Sequence, residues 1–587
     1  MGRSIAKSET LQPVSPDARP ALSERAVRWH LLAAGLVLAC LLCYDLGGRA
    51  LWTDEGYSLS AGGPLLHAVF GDASHPPGYQ FLLHYWLHLA PQTAWGRWNG
   101  VSASDGWLRA FNVPWALLAW WLGWLVASRL GLKREGVLAA WLMALSPLVL
   151  TYFRIGRYYA MAAALTMLCL LALLWLWERP GWKRALVLGL TVALAGYTDY
   201  TALALVLVVL ALAALTAAAR REGRLCGAFA TAGASGLVLL LPLMLMTVQR
   251  AATVAAIAAD PMAHSLRGLI VKLALPVFSL ATGECIDPWR WAITIPALVA
   301  TVVLLVVGLW ALCRQPRQTS TVGGASSPDP TAIPSGLEAP PTMQAAKLLA
   351  FVWPLNIIVA TGMLSTVAAN VPPNRVTSLA MLTIPLAFLL LARGAYEYYW
   401  HSEMAERDVR AGRCSVMPRP VILPILALLA ACPIGLNNYF RAEQLLNQGY
   451  APPWRQVAQL IEQHEQPGDV IVSTEDVFPR YYDGQAELAF EGDLREMLLG
   501  RRPAPRRVWL LTRDRGSQEM LGIAQQLRDK LAAQGARTQV FEVLPRTPQE
   551  QKMLSKVLGR PAWGAYVKVY LLERREPGTG NRQPGRP

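Results

Sequence analysis

The sequence predicts a polytopic α-helical membrane protein with about eleven transmembrane helices, followed by a small external α/β domain. Three observations predict it. Of 587 residues, 54% are hydrophobic and only 16% charged, and the apolar ones fall in long, nearly uncharged blocks that an ordinary soluble domain does not carry. The Lys and Arg residues sit in short clusters between those blocks, and after about residue 440 the composition turns mixed.

The first block, Leu31 to Leu46 with Asp45 at its outer end, follows a hydrophilic arm over 1–29 and lacks a small-residue cleavage site, so it reads as a retained anchor. Further spans are expected at 107–128, 136–152, 158–177, 185–198, 199–219, 226–247, 291–312, 347–367, 375–392 and 420–438, within a membrane domain over 30–439. Alternate threading puts Arg3, Lys7, Arg19, Arg25 and Arg28 on one side with the clusters at 129–134, 179–184, 220–224, 314–317 and 407–419. By the positive-inside rule that side is the cytoplasm. The first loop (48–106), the 248–290 segment and the chain beyond 440 then lie outside.

The net charge of +15 is accounted for by those cytoplasmic clusters, which argues against a nucleic-acid partner. Of eight cysteines most fall in spans, so neither a disulfide framework nor a CxxC metal site is implied. Residues 315–345 are rich in Pro, Ser, Thr, Gly and Ala and read as a flexible cytoplasmic linker. Within 440–576 a helix is expected at Trp454 to His464, strands near 469–473, 508–511, 540–544 and 566–572, and an amphipathic helix at 523–533; the tail over 577–587 reads as disordered. No internal repeat is evident, which counts against a transporter built from duplicated halves.

Candidate chemistry clusters at the outer ends of spans. Asp54 and Glu55 stand side by side just beyond the first span, where charge near hydrocarbon costs roughly 2.5 to 3.5 kcal/mol per residue. Such a pair can take a proton from a hydroxyl or hold a cation, or simply sit in headgroup water. Tyr57 follows them, and His75 is held by Pro76 and Pro77 in the same loop. His84 and His88 have the i, i+4 spacing of a metal pair but no acidic partner, and read as surface histidines on an interfacial helix. Arg154 and Arg157, next to Tyr158, put two guanidiniums at the end of the third span, and Arg375 opens a late one. Arginines on the disfavoured side suit a bound phosphate, which a planar guanidinium can grip with two donors. Asp199 is the only charge between Ala185 and Ala219 and reads as the tip of a tight helical hairpin in the same compartment as Asp54. Glu284 and Asp287 read as loop residues. His75, Tyr57, Tyr158 and Asp199 are the substrate-binding candidates.

Taken in order, Asp54-Glu55, His75-Pro76-Pro77, the Arg154/Arg157-Tyr158 corner, Pro373-Asn374-Arg375, and an external domain opening Trp454-Arg455-Gln456-Val457 and continuing Pro467-Gly468-Asp469 resemble the bacterial membrane glycosyltransferases of the GT-C fold. The likeness is to the protein O-mannosyltransferase, aminoarabinose transferase and lipopolysaccharide-core galacturonosyltransferase group, over about residues 30 to 480. It implies a sugar donor linked to polyprenyl phosphate, a lipid, glycan or protein acceptor, and a site on the external face of the bacterial cytoplasmic membrane. It implies Asp54, with Glu55 beside it, as the catalytic or acceptor-activating group of the first loop, and Arg375 near the lipid phosphate. No cofactor is required; a divalent cation between the carboxylates and a phosphate stays open. Asn374 and the 315–345 linker depart from the family pattern without touching that chemistry. The alternative from another class, a transporter or flippase of a lipid-linked sugar, calls for functional charges in the middle of spans.

Overall fold

The computed structural model describes residues 22–70, 75–90, 103–255, 266–314, 348–366, 374–410, 423–441, 452–473, 477–489, 491–501, 505–513, 518–543 and 567–574. The 315–345 linker and the 577–587 tail lie outside the described residues. Eighteen helices precede the C-terminal domain among the described residues.

Helix α1 (Glu24–Cys43) starts where the Ser23 hydroxyl accepts from the Ala26 amide at 3.1 Å. Three short helices follow, α2 (Thr53–Leu59), α3 (Leu65–Phe70) and α4 (Gly78–His88). Then α5 (Asp105–Ala110) runs on into α6 (Asn112–Arg129), so the expected 107–128 span begins a little earlier and includes Asp105 and Arg109. The expected 136–152 span is instead α7 (Lys133–Ala144) and α8 (Pro147–Phe153), bent by 66°. Pro147 cannot continue the α7 hydrogen bonds and forces Ser146 into extended backbone, which breaks the helix there.

Next come α9 (Tyr159–Glu178), α10 (Trp182–Thr198), α11 (Tyr200–Ala219), α12 (Gly223–Ala255), α13 (Leu266–Thr282) and α14 (Trp291–Arg314). The membrane domain closes with α15 (Val352–Thr366), α16 (Asn374–Ala380), a 3₁₀ turn into α17 (Ile384–Arg410), and α18 (Leu423–Phe440). Among the described residues seven helices are long and apolar enough to cross a membrane, or eight with the bent pair, against the eleven or so expected. Several expected spans are shorter apolar helices, such as Leu426–Phe440 and Val352–Gly362. The 248–290 segment, expected as an external loop, is largely helical through the end of α12 and α13. Arg267 and Lys272 interrupt its apolar run in the sequence, yet Lys272 is buried by its neighbours.

Helix α9 is apolar on every side and largely buried, and residues 376–392 of α16 and α17 are buried throughout. Around them α1, α11, α12 and α14 turn Leu36, Leu215, Leu245 and Val306 outward, as suits helices solvated by lipid. Where α14 and α17 cross, Gly308 and Gly394 let the backbones touch, since a Cβ on either would run into the carbonyl of Leu390 or Leu304.

Contacts sort the connecting segments into two groups at opposite ends. At one end Lys133 pairs with Glu24 (2.8 Å), Arg129 with Glu178 (2.7 Å) and Arg393 with Glu135 (2.6 Å). At the other lie the chain after α1, the 154–158 corner, the α10–α11 turn and the C-terminal domain.

That domain consists of α19 (Trp454–His464), β1 (Val470–Ser473), β2 (Glu487–Ala489), α20 (Glu491–Leu498), β3 (Arg507–Arg513), α21 (Gln518–Ala533), β4 (Arg537–Val543) and β5 (Val567–Glu573). The sheet order is β2-β1-β3-β5-β4, with β1 parallel to β2 and β3, and β5 antiparallel to β3 and β4. In register, Ile471 faces Trp509. The apolar runs read in the sequence become these strands because alternating Val, Ile and Leu can bury one face against helices, here Leu510 and Val508 against Leu527 and Leu531.

Candidate functional site

Beyond α1 the chain turns through Asp45, at φ 47°, and reaches Trp52, whose fully buried side chain anchors the start of α2. Asp54 and Glu55 occupy the first turn of α2, where the helix dipole favours negative charge. Successive residues on a helix point about 100° apart, so the pair is split. Glu55 faces inward and is 0% exposed, while Asp54 is only partly buried.

The Glu55 carboxylate is saturated. Oε1 accepts from Arg109 Nε at 2.8 Å and from the Gly156 amide at 2.7 Å; Oε2 accepts from Arg109 Nη2 at 2.8 Å and the Trp52 amide at 3.3 Å. Arg109 also donates to the carbonyls of Leu46 (3.1 Å), Arg49 (2.8 Å) and Ala50 (3.2 Å). One guanidinium therefore ties the loop after α1 to the start of α5–α6, and one carboxylate ties α2 to the 154–158 corner.

Other groups gather at the main chain of Asp54. Arg157, almost fully buried, donates from Nη1 to the Asp54 carbonyl at 3.0 Å and reaches Ser58 Oγ at 3.5 Å. Its Nη2 is 3.2 Å from His75 Nε2. The His75 ring packs on Tyr158 with centroids 5.1 Å apart. Asn112 holds the corner in shape by donating to the carbonyls of Ile155 and Arg157. Asp199 caps α11 through the Ala202 amide at 2.8 Å, is buried, and interacts electrostatically with His75. The structure thus gathers Asp54, His75, Arg157, Tyr158 and Asp199, with Glu55 beneath them.

The other candidates stand elsewhere. Arg154 turns the opposite way, donating to the Tyr44 carbonyl and lying 5.4 Å from the Tyr439 ring and 5.3 Å from that of Phe440. Tyr57 is 55% exposed. Arg375 lies in the first turn of α16, but its side chain and residues 370–373 fall outside the described set. His84 and His88 each place Nδ1 2.8 Å from a backbone carbonyl, those of Ala61 and His84. Among the described residues no group of three or more His, Cys, Asp or Glu is placed to hold a metal ion.

Several residues of this region escape sequence reading. Arg109 and Asp105 are charges at the edge of an apolar span, a signal that could have flagged them. Tyr79 is buried between Phe111 and Tyr158, at 5.4 and 6.4 Å, and the only signal for it is its place four residues after His75. Glu284, read as a loop residue, does lie between α13 and α14, but it is fully buried. It accepts from Tyr152 Oη at 3.1 Å and Ser279 Oγ at 2.8 Å. Ser279 in turn lies 3.3 Å from Thr377 of α16, two residues beyond Arg375.

The C-terminal domain borders this region. Between its α19 and α5 lies a cavity of about 580 Å³ lined by Asp105, Arg455, Gln459, Glu462, Arg480 and Tyr481, among others.

Solved structures similar to this chain include the ArnT of Cupriavidus metallidurans bound to undecaprenyl phosphate. That match has 12% identity and a TM-score of 0.47, and covers 94% of this chain and 98% of that one. The oligosaccharyltransferase of Archaeoglobus fulgidus matches at 10% identity and a TM-score of 0.41, over 84% of this chain and 70% of that one. The arabinofuranosyltransferase AftD from Mycobacteria matches at 15% identity and a TM-score of 0.39, over 94% of this chain and 40% of that one. No family model matches the chain, and no curated protein does.

Proposed function

We propose that this protein is a glycosyltransferase that moves a sugar from a polyprenyl-phosphate-linked donor to a hydroxyl of a lipid, glycan or protein at the external face of the bacterial cytoplasmic membrane. The observation that carries this reading is the meeting of Asp54, His75 and Arg157, drawn from three stretches of chain, with Arg157 bound to the Asp54 carbonyl at 3.0 Å. An acidic residue whose main chain is held by a buried guanidinium brings to one place the two kinds of group, a base and a cation, that transfer from a phospholipid sugar requires. The donor class follows the resemblance read in the sequence.

In this reading the Asp54 carboxylate takes the proton of the acceptor hydroxyl as its oxygen bonds to the anomeric carbon. The bond from that carbon to the phosphate oxygen breaks, and its electron pair leaves on the polyprenyl phosphate. Arg157 lies where it can offset the charge that develops there, with Arg375 as the second cation for the lipid phosphate. His75, beside Arg157, and Asp199, which interacts with His75, orient the substrate. Glu55, with four hydrogen bonds already made, sets the direction of α2 and leaves proton transfer to Asp54.

Asp54→Asn keeps the shape and removes the proton acceptor. Turnover from purified lipid-linked sugar to an envelope extract should fall by roughly 10² to 10⁴-fold, with the melting temperature of the detergent-purified protein unchanged. A well-folded Asp54→Asn protein with near-parental turnover would refute Asp54 as the base.

A further inference from the structure

The cavity between the C-terminal domain and α5 has a floor that leads to the proposed base. Asp105 accepts from Arg480 Nε at 2.8 Å, from Tyr481 Oη at 2.9 Å and from Arg455 Nη2 at 3.2 Å. All three donors belong to the C-terminal domain, 350 to 376 residues on in the chain. Arg455 also donates to the carbonyls of Gly48 (3.0 Å) and Gly47 (2.8 Å), and Arg480 to that of Ala103.

Tyr481 does something the arginines do not. While its hydroxyl donates to Asp105, it accepts the Leu51 amide at 2.6 Å. Burial, and then the Asp105 carboxylate, hold the phenol above its ordinary range, so it remains a neutral donor. Leu51 precedes Trp52, whose amide binds Glu55 and whose carbonyl accepts from the Glu55 and Gly56 amides in the first turn of α2. Gly56 is itself pressed against Val477 of the C-terminal domain, with no room for a Cβ. The turn that carries Asp54 is therefore held from below by Arg109 and Glu55 and from above by Tyr481 and Val477.

We propose that Tyr481 is a positioning residue for the transfer reaction: its hydroxyl, fixed by Asp105, clamps the Leu51 amide and so sets the start of α2 and the direction of the Asp54 carboxylate. The C-terminal domain is on this account a working part of the site and not an appendage. The inference rests on the reading of Asp54 as the base. A misplacement of about 1 Å at such a group costs on the order of 10²-fold in rate, whereas one lost hydrogen bond leaves the fold standing.

The test uses the purified full-length protein and its Tyr481→Phe variant, which keeps the ring and loses the hydroxyl. Amide hydrogen exchange read by mass spectrometry should quicken roughly five- to tenfold in the peptide over residues 48–58, with the C-terminal sheet unchanged. Turnover should fall about tenfold or more, with the donor KM within about twofold of parental. Unchanged exchange over 48–58 would overturn the clamp, and quickened exchange with parental turnover would overturn its bearing on the reaction. If Tyr481→Phe does not fold, Asp105→Asn, which removes the carboxylate charge that fixes the Tyr481 hydroxyl, is read in the same two ways. If the parental protein transfers no sugar, the proposed function fails, and the exchange measurement still decides whether Tyr481 holds the loop.

Discussion

Arg109 and Glu55 form a two-pronged ion pair, Nε to Oε1 and Nη2 to Oε2, both at 2.8 Å, with side chains 6% and 1% exposed. This pair makes the difference between the two adjacent acids. Breaking a buried pair from one side typically costs about 3–5 kcal/mol, because the remaining charge stays buried without its partner. Glu55→Gln and Arg109→Gln should therefore each lower the thermal stability of the detergent-purified protein markedly, while Asp54→Asn leaves it alone. A Glu55→Gln protein that melts with the parent would show that the pair does not hold the loop.

Arg157 contacts the Asp54 carbonyl through one nitrogen and His75 through another. Lysine keeps the charge but offers a single point donor in place of a planar fork. Arg157→Lys should raise the donor KM and lower turnover at limiting donor by tenfold or more. Arg154→Lys, at a residue turned to Tyr44 and Tyr439, should alter donor kinetics far less. Equal effects from the two substitutions, measured by initial rates against donor concentration, would remove Arg157 from the phosphate role.

Gly78 begins α4, three residues after His75, and packs on the end of α10. A Cβ there would stand 2.6 Å from the Tyr197 carbonyl oxygen, an atom of backbone that cannot swing aside. Gly78→Ala should force α4 away from the Asp199 turn, costing about 1–3 kcal/mol as overpacking does and reducing turnover. Melting and transfer assays on the same preparation check both; a parental melting temperature would show that α4 is free to shift.

The two ends of the helical body should face opposite compartments, with the C-terminal domain external, because the Lys/Arg clusters gather at the end away from it. Cysteine introduced at Gln463, on the exposed face of α19, should react with an impermeant maleimide in spheroplasts above the parental background. Cysteine at Glu222, in the exposed turn between α11 and α12, should react only after the membrane is opened. The reverse pattern would invert the orientation and with it the proposed reaction.

The sequence by itself determined what depends on local composition. Long apolar runs had to be helices in hydrocarbon, as at α1, α9, α11 and α14, since only a helix satisfies its own backbone there. Short apolar runs after residue 440 had to be strands in a covered sheet, as β1 and β3 are with both faces buried, and the alternating run at 566–572 a strand with one face more deeply buried, as β5 is. Asp54, Arg157 and His75 could be singled out because charge and polarity at span ends are costly without a use.

Only the tertiary structure decided partners. Nothing local tells that Glu55 turns inward to Arg109 while Asp54 does not, because which neighbour lies across the gap depends on how α2 docks on α5. The same holds for Arg154 and Arg157, three residues apart and facing different neighbours once Asn112 fixes the turn between α8 and α9. Tyr481 was invisible for the same reason: its contacts, Leu51 and Asp105, lie 430 and 376 residues away. Hydropathy sums along the chain, whereas a hydrogen bond is made in space, and the loops that carry this chemistry meet only after the helices between them have packed.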